Sequence, residues 1–258
     1  MSDAAATPSE EAVLTERRGK VMLITLNRPD QMNSINGALA HGLEAALVEL
    51  NEDADLAAGV LTGNGRGFSS GMDLKAFAKG EDIGPISKFF VHGSVKPLIA
   101  AVEGFALAGG LEMALSCDLI VASEGSKFGI PEVKVGLFAA GGGVIRLPSR
   151  VGYMKAMEMA LTAKNITAEE AYTAGMISRV TPAGGAVDAA MELATTIGAN
   201  APLGVAASKE MIKASQGTRE EDLWAMQAKL QATVFVSNDA REGPAAFAEK
   251  RDANWTGT

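Results

Sequence analysis

An α/β fold is what this sequence predicts, and three observations predict it. Short apolar runs of strand length alternate with helix-length segments through about residue 182. No dinucleotide-type glycine fingerprint follows the first strand; Gly63, Gly65 and Gly67 lie too close together, and FSSGMDLK after them makes a poor long helix. From Ala201 onward the pattern is helical only. The chain therefore divides into a polar tail over 1–12, an α/β core over 13–198 and a helical region over 199–258.

Each element has a local reason. Val21 to Leu26 (VMLITL) is a buried strand closed by the Asn27-Arg28-Pro29-Asp30 turn. Asn36 to Leu50 is helical, with Leu39, Leu43, Ala46, Leu47 and Leu50 on one face. Gly59 to Thr62 is a short strand running into the glycine-rich loop GNGRGFSSGMDLK. Leu98 to Val102, Leu119 to Ala122 and Ile177 to Val180 complete the strands, with helices at 149–161, 167–174 and 185–199. Beyond them, helices span Pro202 to about Ala214, 219–236 and 239–249. Those last helices carry Leu203, Val205, Met211, Leu223, Trp224, Leu230 and Phe235 on more than one side, so they dock on something.

Composition narrows the function. A formal charge of −8 argues against a nucleic-acid surface, which needs clustered Lys and Arg. The first ten residues lack the basic and apolar regions of a signal peptide, and the apolar stretches are too short to span a bilayer. The lone Cys117, set in an apolar run, forms no disulfide within the chain and reads as a buried small hydrophobe, in keeping with a cytoplasmic protein. His41 and His92 have no companions at metal-ligand spacing, so no metal site is expected.

The stretch from Gly104 to Glu132 concentrates the chemistry. A turn built on Gly109 and Gly110 opens a helix whose exposed amides suit a developing negative charge. Glu112 falls in that helix's first turn, and Glu132 follows Pro131. Two carboxylates returned to one place handle a water molecule between them. Strand, glycine-rich loop and short helix also occur at 59–75, so Met72 and Gly109 are placed to aim two amides at one carbonyl oxygen.

The segments ITLNRPDQMNSIN, VLTGNGRGFSSGMDLK, KPLIAAVEGFALAGGLEMALSCDLIVAS, KFGIPEVKVGL, GGGVIRLP, LTAKNITAEEAYTAGMISRV and EGPAAFAEKR occur in the order of a known family. The chain resembles the enoyl-CoA hydratase/isomerase (crotonase) superfamily over essentially everything after residue 13. That resemblance implies a crotonase-like spiral of β-β-α turns followed by a helical trimerisation region, with trimers or dimers of trimers. It implies an acyl-CoA thioester substrate, no metal and no separate cofactor, since coenzyme A is part of the substrate. The family's oxyanion donors fall on Met72 and Gly109, and its water-handling glutamates on Glu112 and Glu132. Ser34 falls where backbone approaches coenzyme A, and Met72, Asp73, Leu74 and Lys75 on the segment that wraps the thioester. Phe247 and Lys250 match positions that reach coenzyme A, often from the adjoining subunit. SGMDLK and EGPAAFAEKRDANW look closest to the carnitinyl-CoA dehydratase branch.

The resemblance also shows departures. Ala108-Gly109-Gly110 replaces three glycines, Ala139-Ala140 stands where hydratases have Pro-Gly, Val144-Ile145 replaces a Thr-Gln pair, and Ile130 replaces a polar residue. The activity implied is reversible syn addition of water to a trans-2-enoyl-CoA. Rival readings are an enoyl-CoA isomerase, a carnitinyl-type dehydratase and an idle acyl-CoA-binding protein. Retention of both glutamates favours hydration.

Overall fold

The computed structural model describes residues 11–258, so all but the last two residues of the tail read over 1–12 lie outside them. The strands are β1 (Val13–Arg18), β2 (Val21–Leu26), β3 (Ala58–Gly63), β4 (Leu98–Val102), β5 (Phe105–Leu107), β6 (Leu119–Ser123), β7 (Lys127–Gly129), β8 (Ile166–Thr167) and β9 (Arg179–Thr181). The helices of the core are α1 (Gly37–Glu52), α2 (Leu74–Ala78), α3 (Gly84–His92), α4 (Gly109–Ser116), α5 (Gly143–Val151), α6 (Tyr153–Thr162), α7 (Ala168–Thr173) and α8 (Ala186–Gly198). After the core come α9 (Pro202–Ala214), α10 (Glu220–Val234) and α11 (Asn238–Glu249).

A six-stranded sheet runs β1-β2-β3-β4-β6-β9, and it is parallel except for the β1–β2 hairpin. A smaller sheet runs β5-β7-β8, and Ser69 bridges to Ala106 on its β5 side. Each spiral turn thus gives one strand to the large sheet and a short segment to the small one: β3 with Ser69, β4 with β5, β6 with β7. The chain bends between the two sheets at each turn, so the loops after the short segments gather on one side. That is where α4 starts.

Burial on both faces explains the near-continuous apolar strands. On one face Val21, Leu23, Ala58, Val60, Ile99, Ala101 and Val121 pack against Ala186, Ala190 and Ala194 of α8. The alanines recur every fourth residue, so that helix approaches the sheet closely. On the other face Ile24, Leu26, Leu61, Ala100 and Ile120 meet the apolar sides of α1, α3 and α4. Asn36 caps α1 by accepting from the Leu39 amide, and Leu39, Leu43 and Leu50 below it are wholly buried. Each such leucine contributes about 2 kcal/mol of apolar burial.

Four expectations need correcting. The helix read over 149–161 is two helices, α5 and α6, broken at Gly152, whose φ of 78° and ψ of 156° are not helical. The first of them begins at Gly143, so the glycine cluster is its N-terminus. The strand read over Ile177–Val180 lies at Arg179–Thr181, because its register is set by β6 pairing. The strands β1, β5, β7 and β8 add to those expected; they are short or, like β1, almost wholly exposed, and hold their conformation through pairing. No helix among the described residues is long and apolar enough to cross a membrane.

Candidate active site

The site is assembled by close backbone approach where two spiral turns meet. Gly71 has φ +92°, and a Cβ there would lie 2.6 Å from the Ala108 Cβ and 2.8 Å from the Gly109 nitrogen. A Cβ on Gly109 would lie 3.7 Å from the Met72 nitrogen. The two turns expected to lie side by side therefore do so, and only glycine permits the contact.

The direction of the Met72 amide follows from strand pairing. Ile35 donates to the Gly71 carbonyl at 2.8 Å and accepts from the Asp73 amide at 2.9 Å, a parallel bridge centred on Met72. Such a bridge uses the groups of the flanking residues and turns the central N–H to the opposite side. Gly109, whose Cβ position lies 3.7 Å from the Met72 nitrogen, is the first residue of α4, and its N–H has no partner within the helix. The segment is tied down from behind. Ser69 Oγ donates to the Asn33 carbonyl at 2.8 Å and accepts from the Gly71 amide at 3.1 Å. Asn33, fully buried, donates to the Asn64 and Gly67 carbonyls. Gly110 is equally constrained, since a Cβ would sit 2.3 Å from the Ser69 carbonyl oxygen.

Glu112 is 4% exposed, and its Oε1 accepts from the Gly143 amide at 2.9 Å. Burial raises its carboxyl above the ordinary range, while the Gly143 and Gly141 amides and the Arg146 charge pull it back. The 141–143 loop must be glycine: a Cβ on Gly141 would meet the Phe90 ring at 2.5 Å and Glu112 Oε2 at 2.7 Å. Glu132 opens the 3-10 turn Glu132–Val135 just after Pro131. Its buried Oε2 has no hydrogen-bond partner among the described residues. Burial first, and then the charge of Glu112, pushes its carboxyl up to about 7. The two glutamates thus sit close enough to feel each other, in different environments: one carboxylate is held by amides of another element, the other keeps a buried oxygen without a donor.

Ser34 and Asp73 are brought together, but onto each other. Ser34 Oγ donates to Asp73 Oδ2 at 3.3 Å, and Arg28 donates to the same carboxylate oxygen at 3.1 Å and to the Ser34 carbonyl. Asp73 also caps α2 by accepting from the Lys75 and Ala76 amides. Burial opposes its ionisation, yet the Ala76 amide and Arg28 outweigh it and hold the carboxyl below the ordinary range. The side chains of Ser34 and Asp73 therefore shape the loop beside Met72. Leu74 and Lys75 are exposed at the start of α2. Phe247 is 87% exposed, and Lys250 closes α11 in a left-handed conformation. No hydrogen bond within the described chain links Phe247 or Lys250 to the glutamates.

Reading the residues alone missed Arg28, Asn33, Gly141, Gly143 and Arg146. A glycine run followed closely by arginine at a helix start was the available signal for the last three. The sequence offers no comparable signal for Arg28, because its partner Asp73 lies 45 positions away. No group of three or more His, Cys, Asp or Glu among the described residues is arranged to hold a metal ion.

Known proteins resemble this chain over nearly its whole described length. A family model described as enoyl-CoA hydratase/isomerase matches residues 16–258. The enoyl-CoA hydratase EchA19 of Mycobacterium tuberculosis is 38% identical, over 97% of this chain and 98% of that protein. A carnitinyl-CoA dehydratase of Salmonella paratyphi B is 39% identical, over 96% and 99%. The crystal structure of the enoyl-CoA hydratase EchA1 from Mycobacterium marinum superposes with a TM-score of 0.93 at 51% identity, covering 96% of this chain and all of that one.

Proposed function

The chain belongs to the enoyl-CoA hydratase/isomerase family and is an enzyme, and from that premise we propose that it adds water reversibly and syn to a trans-2-enoyl-CoA, giving the 3-hydroxyacyl-CoA. The observation that carries this reading is the glutamate pair in different environments. Glu112 is held by the Gly143 amide beside a guanidinium, and Glu132 has a carboxyl raised to about 7 and a buried oxygen without a donor.

In this scheme the Met72 and Gly109 amides receive the thioester carbonyl oxygen, and their bonds strengthen as the enolate forms. Glu112, as carboxylate, takes a proton from water while the hydroxide oxygen bonds to the β-carbon. The electron pair of the carbon–carbon double bond moves onto the thioester oxygen. Glu132, as the neutral acid, then delivers its proton to the α-carbon, the carbonyl reforms, and a proton passes from Glu112 to Glu132 as product leaves. An isomerisation needs one acid/base group only, so the second glutamate would be idle in it. A carnitinyl-type substrate would bring a quaternary ammonium, for which the Arg146 guanidinium near Glu112 is a repulsive neighbour.

The segment 72–75 is the part assigned to the acyl-CoA thioester, with Lys75 exposed at its rim. The region 199–258 is read as a trimerisation region, with Phe247 and Lys250 reaching coenzyme A on an adjoining subunit. In support, α9 and α10 bury no residue within the chain, while Trp224 and Phe235 are 61% and 69% exposed.

The test is ultraviolet absorbance of trans-2-enoyl-CoA esters, short to long, with the wild-type protein and Glu132→Gln. Loss of the conjugated-enoyl band with wild type alone is expected. No loss at any chain length would remove the hydratase reading and direct the search to 3-enoyl and carnitinyl thioesters.

A further inference from the structure

Arg146 lies one turn into α5 and is half-buried. Its own amide donates to the Gly142 carbonyl at 2.9 Å. Its Nη1 donates to the Gly141 carbonyl at 3.3 Å, and its Nη2 donates to the Phe90 carbonyl near the end of α3. A Cβ on Gly142 would lie 2.2 Å from Nη1, so the guanidinium rests against bare backbone. Ala139 is buried in the core, but the Gly-Gly-Gly run over 141–143 that follows has no side chain to hold it in place. A glycine run is the most freely moving backbone there is. Yet the amide that holds Glu112 belongs to this run.

We infer that Arg146 is a positioning residue: by clamping the Phe90 and Gly141 carbonyls together it holds the 141–143 amides against the Glu112 carboxylate. This rests on the hydration reading for its kinetic consequences but not for its geometry. Arginine suits the task because its planar fork reaches two carbonyls at once, which an ammonium on a flexible stem does less well. Its charge also favours the ionised form of Glu112. The charged groups around the clamp are few. Glu112 is the anion it feels, Glu132 in turn feels Glu112, and Arg150 and Lys213 are the cations near enough to be felt. The two cations act against Arg146, and Glu112 is the anion that compensates it.

The experiment uses the full-length protein with Arg146→Gln and Arg146→Lys, each checked for folding by thermal melting. For hydration of a trans-2-enoyl-CoA, Arg146→Gln is expected to lower kcat about 100-fold with KM within about threefold, and to raise the acid limb of the kcat/KM profile by about one pH unit. Arg146→Lys is expected to restore the limb, because it restores the charge, while kcat stays about tenfold down. A kcat within about threefold of wild type, or a loss of kcat with an unmoved limb, overturns the inference. A measurement without turnover stands beside it. In protein carrying ¹³C-labelled glutamate, with Glu112 assigned from Glu112→Gln, the Glu112 carboxyl should titrate about one unit higher in Arg146→Gln than in wild type. An unchanged midpoint also overturns the inference, whether or not wild type hydrates an enoyl-CoA. If wild type is inactive but the midpoint moves, the clamp stands and only the hydratase reading fails. Should Arg146→Gln fail to fold, Arg146→Lys carries the test: a kcat and a Glu112 titration both indistinguishable from wild type overturn the two-carbonyl clamp.

Discussion

Glu112 and Glu132 are the same residue type in one site, yet their surroundings differ in kind. Glu112 sits on a regular helix, wholly buried, with donors supplied by backbone from another element. Glu132 sits on a short 3-10 turn with one oxygen buried among nothing that donates. Burial raises both carboxyls; at Glu112 two amides and a cation offset it, whereas at Glu132 only its own backbone amide does and the charge of Glu112 adds to the rise. The lesson is that the difference between the two carboxyls, on which the proposed base and acid roles rest, is written in the neighbours of each. Burial alone would have made the two alike.

The largest expected effect comes from removing either half of that contrast. Glu112→Gln or Glu132→Gln should lower kcat by about 10³ while acyl-CoA binding, read by calorimetry with a non-reacting thioester, changes little. Mild losses at both positions would contradict the assignment of roles. Next, Gly71→Ala should lower kcat by about 10² to 10³, because the new Cβ falls 2.8 Å from the Gly109 nitrogen and must part the two amides. Retained turnover in that variant would separate the oxyanion reading from the glutamate reading.

The pH dependence sharpens the contrast further. Hydration needs Glu132 protonated, so kcat/KM should fall as pH rises through about 7, with the limb absent from Glu132→Gln. Stability carries the same signature. The folded carboxyl of Glu132 is raised above its unfolded value, so its favourable contribution is complete below the unfolded pKa near 4.5 and is lost as pH rises through about 7. Thermal melts at pH 5 and pH 8 should show Glu132→Gln gaining about 2 kcal/mol on wild type at the higher pH only. Equal gains at both pH values would point to a packing effect. The smallest effect concerns the entrance of α4, where Ala108 holds φ 51° and ψ −131°, a conformation suited to glycine. Ala108→Gly should raise stability by about 1 kcal/mol in denaturant titration.

Much of this is legible in the amino-acid sequence itself. The large-sheet strands between residues 21 and 122 are apolar runs that bury on both faces, and both ends of α8 were placed within a residue. Glu112 in the first turn of a glycine-opened helix followed from local residue order alone. The short strands did not, since β5, β7 and β8 have two or three residues each and exist because a neighbour completes their hydrogen bonds. Gly152 was lost for another reason: its φ of 78° reflects the fold's need for a corner, and a single glycine in a helical stretch does not announce one.

Residue order by itself points to the candidate amides and acids: Met72 and Gly109 at glycine turns, Glu112 and Glu132 twenty positions apart. Periodicity and turn chemistry act over a few residues, and those features are local. What the residues surrounding each acid do to it was decided only in three dimensions. Gly143 and Arg146 reach Glu112 from a different helix, and the Phe90 carbonyl that anchors Arg146 comes from 56 positions away. Desolvation and charge depend on what packs within a few ångströms, whichever part of the chain supplies it. Residue order supplied both carboxylates, and packing gave each its own surroundings, which is what the proposed division into base and acid rests on.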